Sequence, residues 1–453
     1  MLGRTRAIGF LMSCSHNPYG SRPGGGISLP SYYRPPMSIS NRNVYFPGTE
    51  MLPKNEMRIS FLGSTPFPPT RLQAGTSIMV ELGNGSAQPR RFFFDLGSGA
   101  LKNALAMQVP PALFNDIFIT HLHVDHYADL PYMHPFTAWM GRYQPLRVYG
   151  PSGSRPELGT KHMIKHMREM LVWHEENFDA FPIAKGYEID VTEFAWDADN
   201  GIVYDQDGVV IRSWPRSHGK NGAVAYRLDW KEADLSFVWT GDGRPDEKTV
   251  KYGQGADVFV TEGQADTPQL QSITMGMNQE MVEYTIDGWH SLYYGAGYLF
   301  EEVQPRMAAI CHYVAGGGPI EAEAMAEIRA HWGGLFMFTG PDVQVLNVTK
   351  DEIWHREAAL PEGAAIASID PRWLVPPGAE LPDEMQMPTP RIPRADQQDA
   401  SLREMEIDPH LYYPPDVERE QVSTWPEEGI TIRPKEMLRA RGIDVDNEEP
   451  DSG

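Results

Sequence analysis

The sequence predicts a layered α/β fold, and two observations predict it. Short β-prone apolar runs end abruptly in polar turns that carry histidine or aspartate, and an amphipathic stretch at helical spacing lies between them. The clearest run is "IFITHLHVDHYADL", from Ile117 to Leu130. Residues 117 to 119 are apolar, the chain turns polar at Thr120, and His121, His123, Asp125 and His126 follow within six positions. In layered α/β folds the loop beyond a strand end is where functional groups gather.

A lone histidine is ordinarily a half-buried hydrogen-bonding residue. Four ligand-type side chains this close together are a different case. In an extended or loosely turned segment His121 and His123 point the same way and can share one metal ion, while Asp125 and His126 lie a turn further on and face a second position. Imidazole and carboxylate without thiolate suit zinc, manganese or iron, with zinc the default for a histidine-rich site. The segment supplies only half of the shell that two metals need, so further ligands are expected downstream at other strand ends.

Three more runs fit. "VVIRSWPRSHGKNGAVAYRLDW" has β-type alternation, then His218 in a Gly-containing turn, then a second β-type run. "LSFVWTGDGRPDE" is apolar from Leu235 to Trp239 and ends in Thr240, Gly241 and Asp242. "RMAAICHYVAGGG" is apolar from Met307 to Cys311 and ends in His312.

The order HxHxDH, a lone His, "TGD", then a His closing a strand resembles the metallo-β-lactamase superfamily, in its branch related to tRNase Z and to the arylsulfatases of that fold. "MRISFLGSTPFPPTRLQAGTSIMVEL" (Met57 to Leu82) resembles its opening hairpin, and "RFFFDLGSG" its "DxGxG" strand end with Asp95. "ADVFVTEGQADT" is similar to the strand carrying a "HEAT"-like motif, with Glu262 at the Glu position and Thr261 where the family has His. "TIDGWHSLYYGAGYLFEEVQPRMAAICHY" resembles the helix with the "HST" motif, His290 and Ser291 matching its first two residues. The similarity covers roughly residues 57 to 350. "ITHLHVDHY", "FVWTGDGRPDE" and "LNVTKDEIW" are further similar to an uncharacterised bacterial set of metallo-hydrolases associated with guanitoxin biosynthesis clusters, which fixes no substrate.

The resemblance implies a four-layer αββα sandwich with extended N- and C-terminal arms. It also implies that His121, His123 and His218 hold one divalent metal, Asp125, His126 and His312 a second, and that Asp242 bridges them. A metal-bridging hydroxide would then be the nucleophile. His290 is implied as the acid that protonates the leaving group, or as an electrophilic hydrogen-bond donor. Asp95 and Glu262 are candidates for the carboxylates that metal-bound histidines hydrogen-bond behind them. For Asp95 a plain role in its turn is the alternative.

Composition bounds the rest. The chain has 453 residues, 41% of them hydrophobic, enough for a core, and no run of 18 apolar residues. Cys14 and Cys311 lie far apart, so no disulfide framework is expected. Arg4 and Arg6 precede a short apolar stretch, and "LMSC" faintly resembles a lipoprotein cleavage box. The stretch falls at or below the lower limit for a signal peptide, so the cytoplasm is expected, with periplasmic export as the alternative. The formal net charge of −22, 61 acidic residues against 39 basic, disfavours a nucleic-acid substrate, whose phosphates need Lys and Arg. No Gly-rich basic insertion resembling the tRNA-binding arm of tRNase Z is found.

That region instead holds "ELGTKHMIKHMREMLVWHEENFDAF", an amphipathic helical pattern with Met163, Met167, Met170, Leu171 and His174 on one stripe. The stripe packs on the domain or forms a lid over the metals. As a lid it would join Tyr132, Met133, His134, Trp139, Tyr293 and Tyr294 around an aromatic and thioether-rich pocket for a small, partly apolar substrate.

The expected organisation is a Gly-, Pro- and Ser-rich N-terminal extension over 1–56 and a catalytic domain over 57–360, with about 155–180 as a helical insertion or lid. A Pro-rich acidic extension follows over 361–453. Large side chains at intervals in the C-terminal extension ("RWLV", "HLYY", "STWPEEGITI") suggest that both arms wrap the body or a neighbouring subunit, hence a homo-oligomer. The resulting expectation is a dinuclear-metal hydrolase, zinc first, cleaving an ester-type bond of a small molecule: a phosphodiester, sulfate ester, lactone or amide. The alternatives are a tRNase Z-like RNA phosphodiesterase, a mononuclear iron oxygenase on the same fold and a catalytically dead scaffold.

Overall fold

The computed structural model describes residues 43–48, 50–66, 68–85, 88–178, 185–265, 272, 276–315 and 319–360. The C-terminal arm, the N-terminal arm before residue 43 and the apolar stretch at the start therefore lie outside the described residues. By their internal contacts the residues fall into two compact units, Met1–Leu171 with Lys185–Met385, and Val172–Ala184 with Gln386–Gly453. Of the second unit, residues 172–178 are described. They include the last turns of a helix, where Asn177 Nδ2 donates to the Trp173 carbonyl at 2.6 Å.

The first unit is built on two mixed sheets. One has nine strands, in the order β1 (Val44–Tyr45), β16 (Ile353–Ala358), β15 (Gln344–Val348), β2 (Met57–Gly63), β3 (Ser77–Leu82), β4 (Arg90–Phe94), β5 (Asp116–Phe118), β6 (Leu146–Pro151) and β7 (Ile189–Phe194). The other has seven: β14 (Phe336–Phe338), β13 (Met307–Ile310), β12 (Val258–Thr261), β11 (Leu235–Trp239), β10 (Val224–Trp230), β9 (Val209–Pro215) and β8 (Gly201–Gln206). In each sheet consecutive hairpin strands pair antiparallel, and the strands joined through helices pair parallel, β4 to β7 in one and β11 to β14 in the other.

Strict two-residue alternation sorts the side chains into layers. Ile78, Val80 and Leu82 of β3, with Phe92 and Phe94 of β4, face β10 and β11 and pack with Tyr226, Leu228, Phe237 and Trp239. Phe94 lies 5.2 Å from the Phe237 ring and 5.7 Å from that of Tyr226, so aromatic contacts join the sheets directly. The intervening Met79, Phe93 and Ile117 point the other way, onto α1 (Ala100–Ala106), α2 (Leu130–Trp139) and α3 (Thr160–Asn177). On the outer face of the second sheet, Val238, Phe259 and Ile310 pack on α6 (Tyr293–Val303) and α7 (Pro319–Arg329). Two further helices among the described residues are α4 (Glu247–Gly253) and α5 (Gln279–Trp289). The result is the four-layer αββα sandwich that the sequence implies. Its central strands, β2, β3 and β5 in one sheet and β11 to β13 in the other, are buried on both faces, each large apolar side chain contributing about 1.5–3 kcal/mol.

Two features tie the start of the described chain to the first sheet. Strand β1 runs parallel to β16, and the Tyr45 ring is covered by the guanidinium of Arg58 at 4.6 Å and of Arg356 at 5.1 Å. Behind it Glu81 bridges Arg58 Nε at 2.7 Å and Arg91 Nε at 2.8 Å, all three groups nearly buried. No helix among the described residues is long and apolar enough to cross a membrane.

Candidate metal centre

The site forms where the C-terminal edges of the two sheets meet. Because β11, β12 and β13 run parallel in register, Asp242, Glu262 and His312, each just past its strand, emerge side by side. From the other sheet β5 delivers Thr120 and His121, and a 3-10 turn, Val124–His126, delivers Asp125 and His126. The hairpin between β9 and β10 carries His218. Val224 N donates to Thr120 O at 3.0 Å and the Tyr226 hydroxyl to Ile119 O at 2.6 Å, which fixes one edge against the other.

Close approach makes glycine obligatory at two places. A Cβ on Gly97 would sit 2.1 Å from the carbonyl oxygen of Asp125, and Gly241, at φ 57°, passes Thr120. Asp95 and His312 adopt the same left-handed backbone, at φ 60° and 54°, although neither is glycine. Such conformations persist only where the surroundings over-determine them.

The residues singled out in the sequence converge into two sets. In the first, His123 Nδ1 lies 3.0 Å from both His121 Nε2 and His218 Nε2, and each of those lies 3.8 Å from Asp242 Oδ2. In the second, His126 Nε2 lies 3.3 Å from Asp242 Oδ2 and 3.5 Å from Asp125 Oδ2, and His312 Nε2 lies 3.1 Å and 3.2 Å from the same two oxygens. The same Asp242 oxygen belongs to both. Within each set the donor atoms lie within 4.8 Å of one another.

The hydrogen bonds behind the rings decide which nitrogens are bare. His126 Nδ1 meets Asp95 Oδ2 at 2.9 Å and His218 Nδ1 the carbonyl of Trp289 at 2.8 Å. Both partners can only accept, so Nδ1 carries a proton and Nε2 is the nitrogen turned into the centre, where a metal would take the place of any proton on it. Thr120 gives its hydroxyl proton to Asp95 and accepts at 3.1 Å from His121 Nδ1, with the same consequence for His121 Nε2. Asp95 is held in turn by Trp239 Nε1 at 2.9 Å. Converging lone pairs and carboxylates repel unless a cation lies between them, and His126 Nε2 and Asp242 Oδ1 are buried with no hydrogen-bond partner. An all-nitrogen-and-oxygen set of this kind fits zinc, manganese or iron.

Electrostatics point the same way. Burial pushes His218 down to about 4 and His121 well below its ordinary value, so both are neutral ligands-in-waiting at pH 7. Burial would also lower His126 and His312, but Asp242 and its fellow carboxylates raise both, His312 to about 10. The carboxylates that hold protons there would hold a metal ion in their place, releasing those protons.

Beside the two sets stands a third group. His290 Nδ1 donates to Glu262 Oε2 at 2.6 Å, and Glu262 Oε1 accepts from Gly243 N at 2.7 Å. Burial disfavours a charged His290, yet Glu262 outweighs it and raises the pKa above its ordinary value. At the position where the family has His, Thr261 is buried with its hydroxyl 3.0 Å from that of Thr240. Arg216, which the sequence pattern does not single out, clamps the turn: its Nη2 and the Ser291 hydroxyl each donate to Gly243 O at 2.7 Å. It is legible only in three dimensions, because its partners lie at least 27 positions away.

A cavity of about 170 Å³ opens over these groups. The side chains expected around it lie elsewhere: Tyr293 and Met133 are core residues, and Tyr132 and Tyr294 are exposed. Met163, Met167 and Leu171 of the α3 stripe pack on the core, while Met170 is exposed. The wall comes instead from α5, through Val282, Thr285, Ile286 and Trp289, with Met277 and Pro66. Their i, i+3, i+4, i+7 spacing in "VEYTIDGW" is the signal that reveals this face.

A family described as β-lactamase superfamily domain matches residues 90–313. Ribonuclease Z of Methanococcus maripaludis is 28% identical over 237 residues, 50% of this chain and 68% of that protein. Ribonuclease Z of Mycobacterium bovis is 27% identical over 280 residues, 60% of this chain and 92% of that one. Among solved structures, the metallo-β-lactamase fold protein YhfI from Bacillus subtilis aligns with a TM-score of 0.45 at 16% identity, covering 66% of this chain and 99% of that one. The short form of human tRNase Z aligns at 0.43 and 17% identity, covering 56% and 92%.

Proposed function

We propose, from the premise that this is a metal-dependent hydrolase of the metallo-β-lactamase superfamily with ribonuclease Z homologues, that it works with two metal ions and cleaves an ester-type bond in a small molecule. The observation that carries this reading is the sharing of Asp242 Oδ2 between two complete donor sets, His121, His123 and His218 on one side and Asp125, His126 and His312 on the other. Two divalent cations held there would lower the pKa of a bound water toward neutrality and polarise the electrophile.

The chain's own residues supply the rest. Asp95 and the Trp289 carbonyl hold His126 and His218 in the tautomer that faces inward. Glu262 keeps His290 protonated beside the centre, so that its proton can pass to the leaving group as that group departs. The protein therefore needs no covalent nucleophile. The homology to ribonuclease Z supports a second reading, cleavage of an RNA phosphodiester, against which the net charge of −22 counts.

The test is elemental analysis of protein purified without chelator, beside Asp242→Ala. About two zinc, manganese or iron ions per chain, reduced in the variant, are expected. A single ion, unchanged in the variant, would remove the shared site and with it this proposal.

A further inference from the structure

We infer that the substrate is a carboxylic ester or lactone whose acyl part is apolar, seated on the α5 wall above the metal-ligand candidates. This deepens the hydrolase reading and rests on it. Four residues of one helical face, Val282, Thr285, Ile286 and Trp289, line the cavity opposite His123, Asp125, Asp242 and His312. A surface helix ordinarily turns such a face to the core; here Val282 and Ile286 are buried, Thr285 and Trp289 are half-buried, and all four also line the cavity.

Two polar groups along that wall, the Thr285 hydroxyl and the Gln264 amide nitrogen, are committed elsewhere. The Thr285 hydroxyl is 3.0 Å from the Met281 carbonyl and 3.1 Å from that of Val282, bonds made within its own helix. Gln264 Nε2 donates to the His312 carbonyl at 3.0 Å. Trp289 presents its indole to the cavity, its ring 6.3 Å from that of His123, and Tyr284 buttresses it edge-on at 5.3 Å. Among the described lining residues none is Lys or Arg, so no side-chain cation is set there to meet the second and third phosphates of a nucleic-acid strand. The wall rewards buried hydrocarbon, and the reacting end meets the metal-ligand candidates and His290.

The reaction balances as hydrolysis. The oxygen of one water bonds to the acyl carbon, and the bond from that carbon to the leaving oxygen breaks with its electron pair on the oxygen. His290 supplies the proton that oxygen needs and recovers one from the water. The products are an alcohol and a carboxylic acid, which ionises; a lactone gives both on one molecule.

The experiment uses the full metal-loaded chain with p-nitrophenyl acetate, butyrate and hexanoate, and with bis(p-nitrophenyl) phosphate. Alongside it, calorimetric binding of acetate, butyrate, hexanoate and uridine monophosphate reads recognition apart from turnover. We expect kcat/KM and affinity to rise about two- to fourfold per methylene added, as burial of hydrocarbon predicts. Ile286→Ala and Trp289→Ala, each checked for metal content and melting temperature, should flatten that gradient. The second variant keeps the test open if the first misfolds. A chain-length gradient in binding with no turnover of the carboxylic esters or of the phosphodiester would sink the hydrolase reading and, with it, the ester inference that rests on it. Turnover of the phosphodiester with no gradient in either assay would overturn the present inference and leave the hydrolase reading standing.

Discussion

At the scale of single residues, the candidate centre is organised by what stands behind each ligand. Asp95 is the fullest case: its carboxylate accepts from Thr120 N at 2.7 Å, from Trp239 Nε1 and from His126, all buried. His290 and Glu262 form a pair of a different kind, since His290 belongs to neither of the two sets that share Asp242. His290→Ala should therefore lower kcat by about 10²- to 10⁴-fold while leaving metal content unchanged. Glu262→Gln should act in the same direction by releasing the proton that Glu262 holds on His290. A parallel loss of metal in His290→Ala, read by elemental analysis, would make His290 a ligand instead. The ligand candidates were legible because each closes an apolar run, a local signal. Arg216 and the Trp239 bond to Asp95 were not, because 27 and 144 positions of chain separate the partners.

At the scale of elements, alternation within strands was readable and the destination of helical faces was not. β5 and β11 read as apolar strands ending in polar turns and are buried throughout. The stripe on α3 and the face on α5 have the same kind of periodicity, yet one packs on the core and the other lines the cavity. Periodicity says that a face is apolar; it leaves open what covers it. The outer face of the first sheet, at its central strand β3, gives a separate prediction. Burial alone would raise the Glu81 carboxyl, but the guanidiniums of Arg58 and Arg91 hold it below its ordinary value. Its folded pKa is thus depressed, so its contribution to stability is present above the unfolded value, near pH 4.5, and is lost as pH falls through that range. Glu81→Gln leaves Arg58 buried without its counter-charge and should cost about 3–5 kcal/mol at pH 7. Melting curves of both proteins should converge as the pH drops below about 4.5, where wild type loses the same ion pair; a gap that stays constant would show that the triad contributes packing and no charge.

At the scale of the whole molecule, the choice between a small ester and an RNA strand turns on charge. A protein that neutralises Z phosphates loses affinity with log salt at a slope of about −0.7Z for single strands, and its binding depends on Lys and Arg gathered at the site. Here 39 basic residues stand against 61 acidic, and the described cavity lining holds neither Lys nor Arg. Homology to ribonuclease Z leaves the substrate open, because one fold hosts many chemistries and a metal-activated water can attack any electrophile it reaches. Binding of a precursor tRNA, followed by fluorescence anisotropy from 50 to about 300 mM salt, separates the two. Weak binding with a shallow salt slope, and no cleavage by the metal-loaded chain, is expected. Sub-micromolar binding with a steep slope would mean that a basic surface has been assembled despite the net charge, and the phosphodiesterase reading would then take the place of the ester. The salt slope decides where a single affinity would not, because it counts the phosphates the protein touches.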